Sequence, residues 1–286
     1  MTPGSSVPVA DGATEAAGAS DLGPVFLGAL QGLTEFLPVS SSGHLVLFQQ
    51  FIEVHGDEVL FDVALHLGTL VPVLWFYRQS LWGVLRDPFV GEGAFWDREG
   101  VRLLALLLVA SVPTAILGLA FEDLFESLFS RPGALVVTFA ITGSLLFLTR
   151  ETGEGETGVR QMKWWQAVGI GVAQGFAITP GISRSGATIA VGLFFGLKRE
   201  VAVRFSFLLS VPAILGAALL KLREVEGTDL QVVQLVGGTL AAMVTGYFAL
   251  VLLVRVVKQG KLAHFAWYCW FAAIVAGVIA VWRVAA

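Results

Sequence analysis

Charged residues are scarce in this chain, and cysteine is almost absent. Asp, Glu, Lys and Arg make up 14% of the 286 residues, compared with about 25% in an average soluble protein. The net charge of -4 provides no concentrated basic surface, so nucleic-acid binding is excluded as the leading function. The single cysteine, Cys269, can form neither an internal disulfide nor a thiolate metal cluster. P-loop, HExxH and CxxC motifs are also missing, so nothing supports ATPase, zincin or thiol chemistry.

Apolar residues dominate what remains. Hydrophobic residues make up 56% of the chain, and the mean hydropathy is +0.78. Because about 20 apolar residues in a helix cross a hydrocarbon layer roughly 30 Å thick, we predict an all-α polytopic membrane protein. Six runs are long enough to cross it: residues 59–77, 103–121, 134–149, 201–220, 230–254 and 262–284.

The first 21 residues differ from the rest in composition. They are small and polar, and they contain three acids but no Lys or Arg. We predict a disordered tail over residues 1–21, with no secretory signal, since a signal needs a basic start and a short apolar core. Residues 22–286 are predicted to form a single integral membrane domain.

Two further apolar stretches, residues 22–52 and 164–197, are broken in the middle by the sequences LPVSSSGH and TPGISRSG. Backbone groups freed by such breaks persist at membrane depth only where they are buried in protein or line a wet cavity. We therefore predict that each stretch is a re-entrant hairpin of two half-helices rather than a straight span.

The two broken stretches are related by an internal repeat. An offset of 143 residues (174 minus 31) aligns Gln31, Gly32, Ser40, Ser42 and Gly43 with Gln174, Gly175, Ser183, Ser185 and Gly186. The chain therefore divides into two copies of a re-entrant hairpin followed by three spans, at about 22–149 and 164–286. Three crossings are an odd number, so the second copy is predicted to be inverted, as in carriers with broken midplane helices.

The distribution of basic residues predicts the orientation. Thirteen of the eighteen Lys and Arg fall on one side of the predicted spans and four on the other, while Arg184 lies within the second break. Cytoplasmic loops carry the excess of Lys and Arg. We expect a multi-pass protein of the plasma (inner) membrane with both termini extracytoplasmic, the first hairpin entering from outside and the second from the cytoplasm.

Two ionisable residues fall inside the first break. Glu35 is flanked by Phe36 and Leu37, and a charge at that depth costs about 3 kcal/mol, so a functional role is the default interpretation. The alternative is a carboxyl that is held neutral or lies at the interface. A lone histidine on an apolar face is usually structural, but His44 shares its break with a carboxylate and three hydroxyls, which favours function.

Arg184 is the only basic residue assigned to the membrane interior, and it needs an anion. Its planar guanidinium matches phosphate oxygens in a bidentate geometry, although a salt bridge to Glu35 is the structural alternative. The glycines around it let backbone N–H groups approach a ligand, and the following half-helix adds the positive end of its dipole. The same holds for residues 40–44, so the two breaks together would form a cradle for a doubly charged oxyanion such as diphosphate.

Asp62 and His66 are weaker candidates. They are four residues apart near the start of the first full span and share one face of the helix. Bordering the site and capping the span at the membrane interface are equally good explanations of this pair.

The motifs QGLTEFLPVSSSGHL (residues 31–45) and PGISRSGATI (residues 180–189) closely resemble the paired motifs of the undecaprenyl-diphosphate phosphatase, or bacitracin-resistance protein, family. The resemblance extends from about residue 22 to the C-terminus. It implies a membrane hydrolase that converts the C55 polyprenyl diphosphate to the monophosphate and phosphate, recycles the cell-wall lipid carrier and confers bacitracin resistance. It also implies a divalent cation, Mg²⁺ or Ca²⁺.

The resemblance carries over residue by residue. Glu35 matches the central glutamate of the first motif, His44 its histidine, Ser40 and Ser41 its serine pair, and Arg184 the arginine of the second motif. Two positions depart from some members. Gln31 stands where several members have a first glutamate and others have glutamine, and Ser42 stands where some have threonine.

These observations predict a role for each residue. Arg184 binds the diphosphate, Glu35 holds the cation, and His44 acts as general acid and base to activate Ser41 or a water molecule. The remaining predicted substrate-binding residues are Gln31, Ser40, Ser42, Gly43, Gly181, Ser183, Ser185 and Gly186. The expected partners are the polyprenyl diphosphate and membrane lipids, with no nucleic acid, and a homodimer is left open.

Two other function classes compete with the hydrolase. Inverted repeats with broken midplane helices are typical of secondary transporters, so a polyprenyl-phosphate flippase is the main alternative. A non-catalytic lipid-binding scaffold is the other, and it would tolerate changes at Glu35 and His44 better than changes in helix packing.

Overall fold

The computed structural model describes residues 12–52, 54, 57–90, 93–129, 131, 133–223 and 232–285, with side chains described between residues 22 and 283. These residues form twelve α-helices and no strand longer than a single bridge. The helices are α1 (Gly12–Phe36), α2 (Ser41–Phe48), α3 (Glu58–Phe76), α4 (Arg78–Arg86), α5 (Glu99–Ala120), α6 (Glu122–Phe129), α7 (Ala134–Leu148), α8 (Trp164–Phe176), α9 (Arg184–Phe194), α10 (Arg199–Lys221), α11 (Val232–Lys258) and α12 (Phe265–Ala285).

Among the described residues, six helices are long and apolar enough to cross a membrane: α3, α5, α7, α10, α11 and α12. They are the six spans predicted from the apolar runs, with ends that differ by a few residues. Charged residues at the ends explain where several begin and end. Acids occupy the first turns of α3 and α5, at Glu58 and Glu99, and Lys221 closes α10; these signs complement the helix dipole. The protein is therefore a polytopic, all-helical membrane protein.

The first helix begins earlier than the apolar run that predicts it. The backbone of α1 is helical from Gly12, whereas the run begins at Leu22. Four of the ten intervening residues are Ala, the best helix former. Of the predicted N-terminal tail, residues 1–11 lie outside the described part of the chain.

Both broken stretches fold as two helices separated by a short loop. In the first, α1 ends at Phe36 and α2 starts at Ser41, and in the second α8 ends at Phe176 and α9 starts at Arg184. A serine caps the second helix in each case. Ser40 Oγ accepts a hydrogen bond from the Gly43 N–H, and Ser183 Oγ accepts one from the Gly186 N–H. Each cap satisfies a backbone donor that the broken helix would otherwise leave unpaired.

Helix packing pairs each broken stretch with a distant span. Helix α1 packs against α11, α8 packs against α5, and α7 packs against α12. Glycines allow the first two contacts, because a Cβ atom at Gly28 would collide with the carbonyl oxygen of Gly238, and one at Gly171 would collide with that of Ala110. Gly238 therefore belongs to a close helix crossing.

An aromatic contact anchors the end of α1 in the core. Phe36 is fully buried, and its ring meets the ring of Phe207 in α10 edge to face, with 5.5 Å between centroids. Phe36 directly follows Glu35, so this packing fixes the position of the carboxylate at the point where α1 ends.

Candidate active site

The two breaks meet at the carboxylate of Glu35. Glu35 lies in the last turn of α1 and its side chain is 7% exposed, while Arg184 is the first residue of α9. Nη2 of Arg184 donates a hydrogen bond to Oε1 of Glu35 over 2.5 Å. The sequence predicted both residues for the site, and the structure brings them together. The salt bridge that the sequence kept as an alternative is therefore present.

Ser41 binds the other oxygen of the same carboxylate. Its hydroxyl donates to Oε2 of Glu35 over 2.6 Å. Ser41 is the first residue of α2, as Arg184 is of α9, and the two positions are 143 residues apart (184 minus 41). Each break thus places the first residue of its second helix on one oxygen of Glu35.

Direct contacts hold the two loops together. The N–H of Gly181 donates to Oγ of Ser40 over 3.1 Å. Thr142 of α7 secures the second loop, since its hydroxyl donates to the Gly181 carbonyl and accepts from the Ser183 N–H. A Cβ atom at Gly43 would lie 2.6 Å from Phe139 and 3.0 Å from Cα of Gly181, so only glycine allows the loop tips to approach this closely.

Gly181 also has a conformation that other residues rarely adopt. Its φ of 89° lies in the left-handed region, and a Cβ atom there would collide with the hydroxyl of Thr138. The predicted glycines Gly43 and Gly181 therefore act in the site by allowing the two backbones to touch.

His66 is the second histidine of interest and lies beside Glu35. Its Nε2 is 3.9 Å from Oε2 of Glu35, and its Nδ1 is 2.8 Å from the backbone carbonyl oxygen of Asp62. The carboxylate of Asp62 accepts a hydrogen bond from Gln49 instead. Of this pair, His66 is therefore the residue that borders the candidate site.

Gln31 completes the surroundings of the carboxylate. It is fully buried one helical turn before Glu35, and its Nε2 donates to Oε2 of Glu35 over 3.1 Å. Among the described residues, two buried atoms of the groups bonded to this carboxylate have no hydrogen-bond partner, Oε1 of Gln31 and Nη1 of Arg184. Unsatisfied buried groups are rare in folded proteins, so these two atoms are candidates for binding a ligand or a water molecule.

Comparison with known proteins decides the family. The family model described as "Bacitracin resistance protein BacA" matches residues 24–275. This chain belongs to the BacA family. It is 42% identical to the undecaprenyl-diphosphatase of Halothermothrix orenii over 259 residues, covering 90% of this chain and 96% of the relative. It is 44% identical to that of Carboxydothermus hydrogenoformans, covering 86% and 92%, and 47% identical to that of Desulfosudis oleivorans, covering 86% and 93%. The resemblance stated from the two motifs is confirmed.

His44, the histidine of the first BacA motif, has partners that its sequence position did not reveal. Its ring is buried, with Nδ1 2.7 Å from the Ser40 carbonyl oxygen and Nε2 2.8 Å from the hydroxyl of Tyr268 in α12. The ring stacks on Tyr268 and meets Phe139 edge to face. Within the described part of the chain, neither nitrogen hydrogen-bonds Glu35 or Ser41.

The remaining predicted residues form hydrogen bonds within the two loops. Ser42 Oγ lies 3.4 Å from Ser40 Oγ, and Ser185 Oγ lies 3.3 Å from Ser183 Oγ, so each pair of hydroxyls surrounds a helix cap. Gly186 supplies the capped N–H of the second loop. These serines hold the two loop backbones in place, which in turn places Ser41 and Arg184 on Glu35.

Sequence reasoning missed two residues that support the site, Thr142 and Tyr268. Both lie in apolar spans that contain other residues of the same type, hydroxyl residues around Thr142 and aromatic residues around Tyr268. Neither belongs to a motif. The only signal for Thr142 is that it is one of three hydroxyl residues in a largely apolar span, with Thr138 and Ser144, and such groups often bond a neighbouring helix. Tyr268 resembles the other aromatic residues of α12 until the fold places its hydroxyl on His44.

Proposed function

We propose that this protein is an integral membrane phosphatase that hydrolyses undecaprenyl diphosphate to undecaprenyl phosphate and inorganic phosphate. In this role it would recycle the lipid carrier of cell-wall glycans and confer bacitracin resistance. The relatives named undecaprenyl-diphosphatase support the reaction. The observation that carries the proposal is the buried carboxylate of Glu35, which binds both the hydroxyl of Ser41 and the guanidinium of Arg184. Among the described residues, Nη1 of this guanidinium has no other partner. A hydroxyl beside a base and a fixed positive charge are groups that phosphoryl transfer uses.

Arg184 binds the diphosphate in this proposal. Its Nη1 is buried and has no partner within the described residues, while Nη2 is held by Glu35. One side of the guanidinium is therefore oriented, and the other is available to a phosphate oxygen. The N-terminus of α9 adds positive potential at the same place. Charge on the phosphate would therefore be neutralised without moving the arginine, which is the main requirement of phosphoryl transfer.

Glu35 is positioned to act as the base. The hydroxyl of Ser41 already donates to Oε2 of Glu35, so a proton leaving Ser41, or a water molecule in its place, would pass to this carboxylate. The attacking oxygen would bond to the terminal phosphorus, the anhydride P–O bond would break, and undecaprenyl phosphate would leave. If Ser41 attacks, water then releases phosphate from the serine.

The predicted acid–base role of His44 takes a modified form in this geometry. Nε2 of His44 faces the hydroxyl of Tyr268, and Tyr268 is about half exposed. Proton exchange between His44 and a substrate would pass through this hydroxyl. We propose that His44 and Tyr268 act as a pair at the edge of the site.

The family resemblance implies a divalent cation, and the donor atoms fit one. The carboxylate of Glu35 and the unpaired carbonyl oxygen of Gln31 are oxygen donors of the type that such cations bind. When bound there, a cation would neutralise phosphate charge. Gln31 would thereby contribute as a neutral ligand at the position where other family members have a second carboxylate.

We also propose that the chain is an inverted repeat of two re-entrant hairpins, each followed by three spans, with both termini outside the plasma membrane. Similar contacts to the two loops support it. The carbonyls of Gly181 and Pro38 are 143 residues apart (181 minus 38), and each accepts a hydrogen bond from the last span of one half of the chain, from Thr142 of α7 and from Cys269 of α12 respectively. The reciprocal packing of α1 on α11 and of α8 on α5 follows the same relation.

Phosphate release by the purified protein in detergent tests the function. Wild-type protein is expected to release phosphate from undecaprenyl diphosphate, to lose that activity with a chelator, and to lose about a hundredfold or more with Arg184→Ala. A flippase without hydrolase activity would release no phosphate. If the folded protein released no phosphate with any cation, the proposal would be overturned.

A further inference from the structure

We propose that a cavity at the end of the helix bundle where α3 and α11 end and α10 begins binds an anionic phosphodiester headgroup, such as glycerophosphoglycerol. The inference goes beyond the proposed function and does not rest on it. It is carried by a buried tyrosine hydroxyl that has no partner and by one positive charge that is not balanced.

The cavity lies between the ends of three spans. Its volume is about 530 Å³, within the range of roughly 300–1,000 Å³ that is typical of small-molecule pockets. Apolar and polar residues share its walls, among them Phe76, Val254, Tyr77, Lys198 and Arg204. Walls of this mixed composition suit a charged headgroup that is attached to apolar chains.

A neighbouring tryptophan places the cavity at the depth of the membrane–water interface. Trp75, which precedes the cavity residue Phe76, is 62% exposed. The guanidinium of Arg78 lies 4.8 Å from the centroid of its ring. Tryptophans near the ends of spans are typical of the interface, at the level of the lipid headgroups. A lipid phosphate would therefore lie at the height of the cavity.

Tyr77 supplies a buried donor that has no partner. The residue is 9% exposed, and its ring stacks on that of Phe207 with 6.1 Å between centroids. Within the described residues its hydroxyl forms no hydrogen bond, although Tyr77 lines the cavity. Buried tyrosine hydroxyls usually have a hydrogen-bond partner. We infer that an oxygen of the ligand accepts this hydrogen bond.

One positive charge at the cavity is not balanced. Ion pairs join the other charged residues there: Arg199 with Glu154, Arg204 with Glu99, and Lys258 with Glu200. The ammonium of Lys198, which also lines the cavity, has no ion-pair partner in the described part of the chain. The four cations thus exceed the three acids by one. This excess favours a ligand with one negative charge, such as a phosphodiester, over a zwitterionic headgroup.

Lys198 and Arg204 line the cavity from the beginning of α10. Lys198 is the N-cap residue of this helix, and its side chain forms no capping hydrogen bond. The first N–H groups of the helix add positive potential at the same place. Arg204 donates from Nη2 to Glu99 over 2.7 Å, and its other N–H donors have no partner among the described residues. Both side chains can therefore form charge-assisted hydrogen bonds to phosphate oxygens.

Packed aromatic rings separate the cavity from the Glu35 site. Tyr77 stacks on Phe207, and Phe207 meets Phe36 edge to face with 5.5 Å between centroids. Phe36 directly follows Glu35. In the described part of the chain, no residue that lines the cavity forms a hydrogen bond to Glu35. The headgroup bound here is therefore distinct from the diphosphate that reacts.

Lipid binding to the full-length protein in detergent tests the site. Native mass spectrometry compares the affinity for phosphatidylglycerol with that for phosphatidylcholine of the same acyl chains, and wild type is expected to prefer phosphatidylglycerol. Lys198→Gln is expected to weaken phosphatidylglycerol binding about tenfold, because a charge-assisted hydrogen bond is lost. Tyr77→Phe keeps the stacking on Phe207 and is expected to weaken binding about threefold.

Lys261→Gln is the matched control. Lys261 is exposed at the same end of the bundle, between α11 and α12, and it does not line the cavity. This variant is expected to bind phosphatidylglycerol like wild type, and the midpoints of thermal unfolding check that all three variants are folded. Wild-type affinity in folded Lys198→Gln and Tyr77→Phe, or an equal loss in Lys261→Gln, would overturn the site.

Removal of the acyl chains distinguishes a lipid from a soluble ligand. Binding of radiolabelled glycerophosphoglycerol, the deacylated form of phosphatidylglycerol, is measured by equilibrium dialysis with wild type and Lys198→Gln. If only phosphatidylglycerol binds, the site takes a lipid of the adjacent leaflet. If glycerophosphoglycerol also binds and its binding depends on Lys198, the site takes a soluble phosphodiester as well. If neither compound binds, or if phosphatidylcholine binds as tightly as phosphatidylglycerol, the proposal is wrong.

Discussion

Ser41 and Arg184 bind the two oxygens of a single carboxylate, that of Glu35. They are 143 residues apart (184 minus 41), the offset of the predicted repeat, and each is the first residue of the second helix of its break. One supplies a neutral hydroxyl and the other a fixed positive charge, so two different chemical groups meet at one carboxylate. A buried carboxylate needs this kind of compensation, since desolvation without partners costs several kcal/mol per ion.

Removing the charge of Glu35 should affect both activity and stability. Glu35→Gln leaves Arg184 buried without its anion, so we expect kcat/KM to fall about a hundredfold or more and the free energy of unfolding to fall by about 3–5 kcal/mol. Phosphate release and denaturation in detergent measure the two effects. The control is Glu151→Gln, which breaks an exposed pair with Arg150 and should cost less than about 1 kcal/mol. Equal effects of the two changes would contradict the role of Glu35.

Ser41 should matter far more than its neighbour Ser42. Ser41→Ala removes the hydroxyl that donates to Glu35, so kcat/KM should fall about a hundredfold or more. Ser42 lies 3.4 Å from Ser40 and has no hydrogen bond to Glu35 among the described residues. It acts only through the loop, so Ser42→Ala is expected to lose much less activity than Ser41→Ala.

Rapid quenching distinguishes nucleophilic attack by Ser41 from attack by water. A single turnover that is quenched before it is complete should contain a phosphoserine at Ser41 if the hydroxyl attacks. Release of phosphate with no trapped phosphoserine at any quench time would assign the attack to water and leave Ser41 as a positioning residue.

The hydroxyl of Tyr268 should be needed for the function of His44. Tyr268→Phe retains the ring that stacks on His44 but removes the oxygen 2.8 Å from its Nε2. We expect kcat/KM to fall about tenfold to a hundredfold, and we expect the effects of Tyr268→Phe and His44→Ala to be strongly non-additive. Tyr247→Phe in α11 is the control, since this ring contacts only Phe248 among the described aromatic pairs. Additive effects would show that the two residues act separately.

Gly181 should be among the least replaceable glycines. Gly181→Ala combines a left-handed φ with a collision against Thr138 and is expected to destabilise the protein by about 2–4 kcal/mol. Gly196 is the matched control, because its φ is also positive, 75°, but a Cβ atom there meets open space. Gly196→Ala should cost about 1 kcal/mol. The midpoints of thermal unfolding of the two variants test whether the contact, rather than the φ angle alone, requires glycine.

The sequence predicted the site best where the chemistry of a single residue indicated what partner it needed. Arg184 and Glu35 are single charges in apolar surroundings, so each needed a partner of opposite sign and the structure supplied it. His44 was harder to assign. Its place in the motif suggested contact with Ser41, but the start of α2 turns its ring towards Tyr268 of a span 224 residues away.

Sequence alone determined the six spans, the two breaks and the charged residues within them. The thickness of a bilayer sets the length of an apolar helix, and burial of a charge is costly wherever it occurs, so neither inference requires coordinates. Only the tertiary structure decided which side chains meet: Ser41 with Glu35, His44 with Tyr268, and His66 with the carboxylate. These contacts depend on the rotation of each helix about its axis and on glycine-mediated approach between distant helices, and an apolar run contains no record of either.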